Sequence, residues 1–212
     1  VQSSSTAIVA IGMTFVLLTA GVDLSVGAIM FIAAATAGKL AAAGAGLPLT
    51  LGAMLAVGAG AGALNAFCVT RLAIVPFIAT LALMYVGRGF ALWLTETRSL
   101  ALPPGFLAFG SGRLAGIPIP ILLLAAVAVA AQVTLAAMPF GRQVYAVGQN
   151  RDAATKAGVA TGRILAAVYI VCGLCAALGA IVSASQLGVV SATFGMNKEF
   201  TAIAAAVLGG TS

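Results

Sequence analysis

Residues 139–163, PFGRQVYAVGQNRDAATKAGVATGR, form the one long polar interruption in an otherwise apolar chain. They carry Arg142, Arg151, Asp152, Lys156 and Arg163. So much charge in so short a stretch belongs outside a bilayer, and the apolar runs flanking it are then membrane-crossing segments. The middle of the stretch, residues 150–157, is predicted to be a short helix. Asn150 is a strong N-cap, Asp152 falls in the first turn where the helix dipole favours an anion, and Gly158 is a natural C-terminal stop. A short capped helix held between two spans suits docking into a groove on a soluble partner.

The composition agrees. The 212 residues are 62% hydrophobic and 7% charged, with a mean hydropathy of +1.19. A soluble domain carries roughly 25% charged residues, so this chain could not cover a soluble surface. The apolar residues run continuously instead of alternating, which excludes a β-barrel. The fold class is therefore all-α, a polytopic transmembrane helical bundle. The net charge is +6, but the basic residues are scattered and mostly flank spans, as in membrane-protein loops and not as in a nucleic-acid-binding face. Histidine is absent from the sequence, which disfavours histidine-ligated metals and histidine catalysis. No nucleophile–base pair or metal-ligand cluster stands out, and GQNRDAATKAG lacks the spacing of a Walker A motif. Cys172 and Cys175 form a C-x-x-C inside an apolar helix; beside Gly173 and Gly179 they read as small residues for close helix packing. No cleavable signal peptide is expected, because VQSSSTAIVAIGM lacks a basic n-region.

Taken in order, apolar segments are predicted over residues 6–22, 24–43, 49–69, 76–95, 118–138, 164–186 and 200–208, which amounts to about six to seven spans. The first two are almost contiguous, joined at GVDLSVG. An Asp in so apolar a setting must be paired, capping or next to water. Asp23 is expected to cap a helix starting at Leu24 with Ser25 in its first turn, and the break reads either as a re-entry inside the bundle or as an ordinary turn at a membrane face. The third span contains GAMLAVGAGAGALNA, whose small-x-x-x-small spacing suits close packing, and Asn65 near its end reads as an interhelical hydrogen bond. Pro76 opens the fourth span. Arg88 lies inside it; it is either a functional intramembrane charge, with Asp23 one candidate partner, or a snorkelling side chain. Residues 96–117, with Phe106, Phe109 and Arg113, read as a connection that is solvated or touches a partner, and residues 188–199 as a polar turn. Asp23, Ser25, Asn65, Thr80 and Arg88 are the candidates for a translocation path or for buried polar glue. Arg71, Arg142, Arg151, Lys156 and Arg163 fall on one side of the membrane. Lys39, Arg98, Arg113 and Lys198 fall on the other, partly offset by Glu96 and Glu199, so the charge bias makes residues 139–163 cytoplasmic.

Four motifs, in this order and spacing, carry a family resemblance: GMTFVLLTAGVDLSVGAIM, VPFIATLALMYVGRGFALWLT, FGRQVYAVGQNRDAATKAGV and EFTAIAAAVLGGTS. The chain resembles the permease subunit of ribose-type ABC sugar importers, with branched-chain amino acid permeases as more distant relatives. The resemblance spans the whole sequence and implies a single permease domain over residues 1–212. It also implies about ten transmembrane helices per subunit, so further helices are expected before Val1 and after Ser212. By the same resemblance Asn150, Asp152, Ala153, Ala154 and Gly158 match the coupling segment that contacts the ATPase; Arg151 and Lys156 lie in the same short helix.

The partners implied are a cytoplasmic ABC ATPase that binds ATP and Mg, a periplasmic sugar-binding protein, a second permease copy as a homodimer, and membrane lipid. No cofactor and no nucleic acid is expected in this chain, and its place is the bacterial inner membrane. The solute would be a ribose-, xylose-, arabinose- or galactose-like monosaccharide, or alternatively a branched-chain amino acid or nucleoside. An ion-driven carrier would also use broken helices and buried charge but needs no docking helix. A membrane scaffold would make Asp23 and Arg88 purely structural.

Overall fold

The computed structural model describes residues 2–210; Val1, and the Thr211 and Ser212 that close the GGTS motif, lie outside the described residues. The helices are α1 (Gln2–Leu18), α2 (Val26–Ala42), α3 (Leu47–Thr70), α4 (Pro76–Thr95), α5 (Pro104–Ser111), α6 (Ile119–Ala137), α7 (Pro139–Gln149), α8 (Arg151–Lys156), α9 (Thr161–Leu187) and α10 (Lys198–Leu208). Proline sets many of the starts: α3, α4, α5, α6 and α7 each carry one in their first two positions, where its missing N–H costs nothing and its fixed φ suits the helix.

The bundle is built on α9, which packs against α1, α2, α3 and α5. Its contact with α3 is made backbone to backbone. A methyl on Gly58 would collide with the Gly173 carbonyl, and one on Gly62 with the Tyr169 carbonyl. The small-residue run of the third span is thus the crossing point of α3 and α9, as its spacing predicts. On its other side α9 meets α1, where a methyl on Gly12 would stand 2.6 Å from Cys175 Cβ. Cys172 and Cys175 are free and buried at this seam.

α3, α4, α6 and α9 are each long and apolar enough to cross a membrane. α1 and α2 have 17 residues each; at 1.5 Å per residue that is about 25 Å, less than the roughly 30 Å of a hydrocarbon core. α1 ends at Leu18, earlier than the predicted Val22, because residues 19–25 turn there, with Ala20 exposed and Asp23, Leu24 and Ser25 buried. The outer faces of α4 and α6 are bare: Tyr85, Trp93 and Val129 are all more than half exposed, as lipid-facing or partner-facing residues would be.

Two connections differ from expectation. Residues 96–117 are mostly exposed, as a solvated connection would be, but they are ordered and anchored. β1 (Leu100–Ala101) pairs antiparallel with β4 (Val189–Val190), and β2 (Arg113–Leu114) with β3 (Ile117–Pro118). Between them α5 folds back onto α9 and buries Phe106. Residues 188–199 are likewise no simple polar turn, since Val190, Phe194 and Glu199 are buried. In both cases an apolar side chain gains more by inserting between helices than the polar neighbours lose.

Candidate functional site

Three features could carry function, and they lie at different depths along α9. The first is α8. Asn150 adopts an extended backbone, and its Oδ1 accepts the Ala153 N–H at 2.9 Å. The far end closes at Gly158, φ +85°. The Gly158 N–H donates to the Thr155 carbonyl at 3.0 Å and the Val159 N–H to the Ala154 carbonyl at 3.0 Å. This is a Schellman closure, which needs the left-handed conformation that glycine adopts without strain. Asp152 stands in the first turn and Lys156 in the last, both complementing the dipole. Ala154 alone of the seven predicted docking residues faces inward; Asn150, Arg151, Asp152, Ala153, Lys156 and Gly158 are exposed. The Thr155 and Thr161 hydroxyls, 3.2 Å apart, fasten α8 to the start of α9.

Residues 139–149, expected as a loop, form α7. It buries Gly141, Val144 and Val147 and exposes Arg142 and Tyr145. The signal was present as V-x-x-V at helical spacing after an N1 proline, but the flanking charge obscured it. The end of α7 touches the end of α1 so closely that a methyl on Gly148 would overlap the Leu18 carbonyl. A cavity of about 330 Å³ beside this contact is bounded by Thr19 and Gly21 of the break, Val69, Pro76, Tyr169, and Asn150 and Arg151. The end of α3 and the start of α4 therefore lie on the same side of the bundle as α8, as the charge pattern predicts.

The second feature is the break at residues 19–25. Ser25, not Asp23, is the N-cap of α2, and the helix begins at Val26. Asp23 Oδ1 accepts the Ser25 N–H at 2.9 Å and the Ser25 hydroxyl at 2.6 Å. The carboxylate folds onto the residue two ahead in an Asx-type turn instead of capping the helix. Asn65 Nδ2 reaches Ser25 Oγ at 2.8 Å and both Asp23 oxygens at 3.4 Å. Thr80 donates to the Val22 carbonyl at 3.4 Å and to its own Pro76 carbonyl at 3.0 Å. Asp23, Ser25, Asn65 and Thr80 are all buried, none more than 1% exposed. Four of the five predicted path residues thus converge on one sealed polar knot joining the break to α3 and α4. Asn65 Oδ1 and the Tyr169 hydroxyl are buried beside it without a hydrogen-bond partner among the described residues.

Arg88 does not meet Asp23. Its Nη1 donates to the Ala192 carbonyl at 3.4 Å, and its guanidinium carbon lies 5.8 Å from the Phe31 ring centre. Arg88 sits two turns further along α4 than Thr80, so it reaches the segment before α10 and not the break.

The third feature, unpredicted, is a cavity of about 660 Å³ at the end of α9 away from α8, lined by α5, the last turns of α9 and residues 191–198. The hydroxyl run S-A-S-Q…S-A-T at residues 183–193 was its only trace in the sequence.

Comparison with known proteins places this architecture. The family model described as branched-chain amino acid transport system / permease component matches residues 1–212. The chain belongs to that permease family. Like its family it is a multi-pass protein of the bacterial inner membrane, and its role is that of a transport permease. Among curated relatives, the ribose import permease protein RbsC of Escherichia coli K12 is 37% identical over 218 residues, covering 100% of this chain and 67% of that protein. The galactofuranose transporter permease protein YtfT of the same strain is 40% identical over 213 residues, covering 100% of this chain and 62% of that protein. The D-allose transport system permease protein AlsC, also from that strain, is 36% identical over 215 residues, with 66% of it covered. The chain thus spans about two thirds of the length of these permeases or a little less. No solved structure matches it.

Proposed function

We propose that this chain is the membrane-spanning part of an importer for a monosaccharide, and that a separate cytoplasmic ATPase powers it by docking on residues 150–158. The observation that carries the reading is α8. It is closed at both ends by its own capping bonds, fastened to α9, and turns six of its seven candidate residues outward. A pre-ordered exposed helix pays little ordering entropy on binding. The names of the relatives support sugar as cargo: ribose, galactofuranose and D-allose are what those permeases carry by name. The description of the family favours a second reading, a permease for a branched-chain amino acid.

In this account the ATPase holds ATP and Mg, a periplasmic binding protein delivers the solute, and a second permease copy completes the pathway. ATP binding draws the docked ATPases together. α8 moves with them, and α7 carries the motion through the Gly148–Leu18 contact to the break. The solute shifts the balance between outward- and inward-open states only through contacts that differ between them.

The test is co-purification. The full-length gene product is tagged and co-expressed with the ATPase encoded beside it, as wild type and as Asp152→Lys with Gly158→Leu. The ATPase is expected to follow the wild type and to be lost from a still-folded double variant. Equal capture by both, or by neither, would remove the docking assignment.

A further inference from the structure

The 660 Å³ cavity at the far end of α9 has no part in docking or in the buried knot. We propose that it is a transient binding site for a neutral monosaccharide, which the solute enters from the side opposite α8. The proposal rests on the importer reading above and gives its cargo a site.

The wall chemistry is the first argument. Ser183, Ser185, Gln186, Ser191, Thr193 and Lys198 contribute hydroxyl, amide and ammonium groups, and no Asp or Glu lines the space. A sugar presents hydroxyls that both donate and accept, and a hydroxyl-rich wall answers in kind. An amino acid is a zwitterion: Lys198 would receive its carboxylate, but no Asp or Glu lines the cavity to receive its ammonium group. Glu199, next in sequence, turns away: its Oε2 lies against Gly27, buried outside the cavity. The cavity also falls within the roughly 300–1,000 Å³ typical of small-molecule sites.

The second argument is how the wall groups are held. Ser191 and Thr193 hydroxyls lie 3.1 Å apart, Ser183 donates to Ser5 Oγ at 2.8 Å, and Lys198 Nζ donates to Thr6 Oγ1 at 2.8 Å. Each can exchange a protein partner for a sugar hydroxyl. Ser5 Oγ keeps its own bond to the Gly179 carbonyl when Ser183 turns away, while Thr6 Oγ1 gives up its donor, so the exchange gains little net free energy per bond. Weak binding of that kind suits a site that must pass its solute on.

The non-helical wall at residues 188–198 is anchored to its neighbours. β4 is paired to β1, the Leu102 N–H donates to the Gly188 carbonyl at 2.9 Å, and Phe194 is 5% exposed. Arg88 touches the same segment, its Nη1 donating to the Ala192 carbonyl at 3.4 Å.

The experiment is site-directed thiol protection on the full-length gene product, assembled with its ATPase in lipid nanodiscs. Cys172 and Cys175 are buried and Cys68 is half-buried, so Cys68→Ser serves as parent and its remaining labelling is subtracted. Ser191→Cys and Thr193→Cys report on the cavity, and Leu72→Cys, exposed at the opposite end, is the control. Labelling by a small methanethiosulfonate is timed with D-ribose, D-xylose, L-arabinose, D-galactose, D-glucose, D-allose or L-leucine. At least one sugar is expected to slow labelling at positions 191 and 193 about threefold when present at roughly twice its Kd, with no effect at position 72 and none from L-leucine. Protection by no sugar, or protection by L-leucine, overturns the site. ATPase capture through α8 is scored on the same samples. Capture without protection removes the sugar site alone, whereas loss of capture removes the importer reading on which it rests.

Discussion

Asp23 is a carboxylate with no exposed surface, and it is held by Ser25 and Asn65 without a cation bonded to it among the described residues. Removing it would strand the donors of Ser25 and Asn65 in a dry interior, at about 1–3 kcal/mol for each group left unpaired. Asp23→Leu should therefore lower the thermal midpoint of the purified protein far more than Asp23→Asn, which keeps one acceptor; equal midpoints for the two variants would contradict the knot. The exposed pair Lys39–Glu96, 3.0 Å apart, behaves oppositely. The Lys39 ammonium holds the Glu96 carboxyl below its usual range by hydrogen bond and charge. A carboxyl lowered on folding contributes stability above its ordinary pKa and loses it as pH falls through the lowered value. Because the pair is solvated, that contribution is small. Glu96→Gln should leave the midpoint at neutral pH unchanged and slightly flatten its fall in acid, as followed by thermal melts across pH.

At the scale of elements, the decisive contact is the crossing of α3 and α9. Gly173→Val would force the two backbones apart at Gly58 and should abolish folded protein, as read by monodispersity in detergent. Gly60→Val is the matched control, since nothing lies within 4 Å of a methyl there. α8 gives a second prediction. Asn150→Ala removes a side-chain cap worth about 1 kcal/mol, so the thermal midpoint should fall by no more than about 2–4 °C and ATPase affinity by up to roughly fivefold in a titration. These elements also mark what the sequence made legible. The spans over α3, α4, α6 and α9, and the caps at Asn150 and Gly158, were readable because apolar runs and capping residues act locally. Whether Asp23, one candidate partner, meets Arg88 was not legible, because their distance depends on where the α1–α2 hairpin turns, which no local pattern encodes. α5 and the wall at residues 191–198 were missed for the same reason. Their polar and glycine-rich composition reads as solvated, yet Phe106 and Phe194 pull them into the bundle.

At the scale of the molecule, α9 is the axis against which α1, α2, α3 and α5 pack. The proposed docking surface, the buried knot and the hydroxyl-lined cavity follow one another along it, and the bare faces of α4 and α6 look outward. A spin label at Val129 should be freely accessible to oxygen dissolved in lipid, and one at Ala176, buried against neighbouring helices, should be shielded. The central claim is that an ATPase seats on residues 150–158. Hydrogen–deuterium exchange of the full-length permease, with and without that ATPase, tests it most directly. The account predicts new protection concentrated on the amides of α8 and its Gly158 closure, extending weakly into the exposed face of α7. Unchanged exchange across residues 150–158 in a complex that demonstrably forms would contradict it.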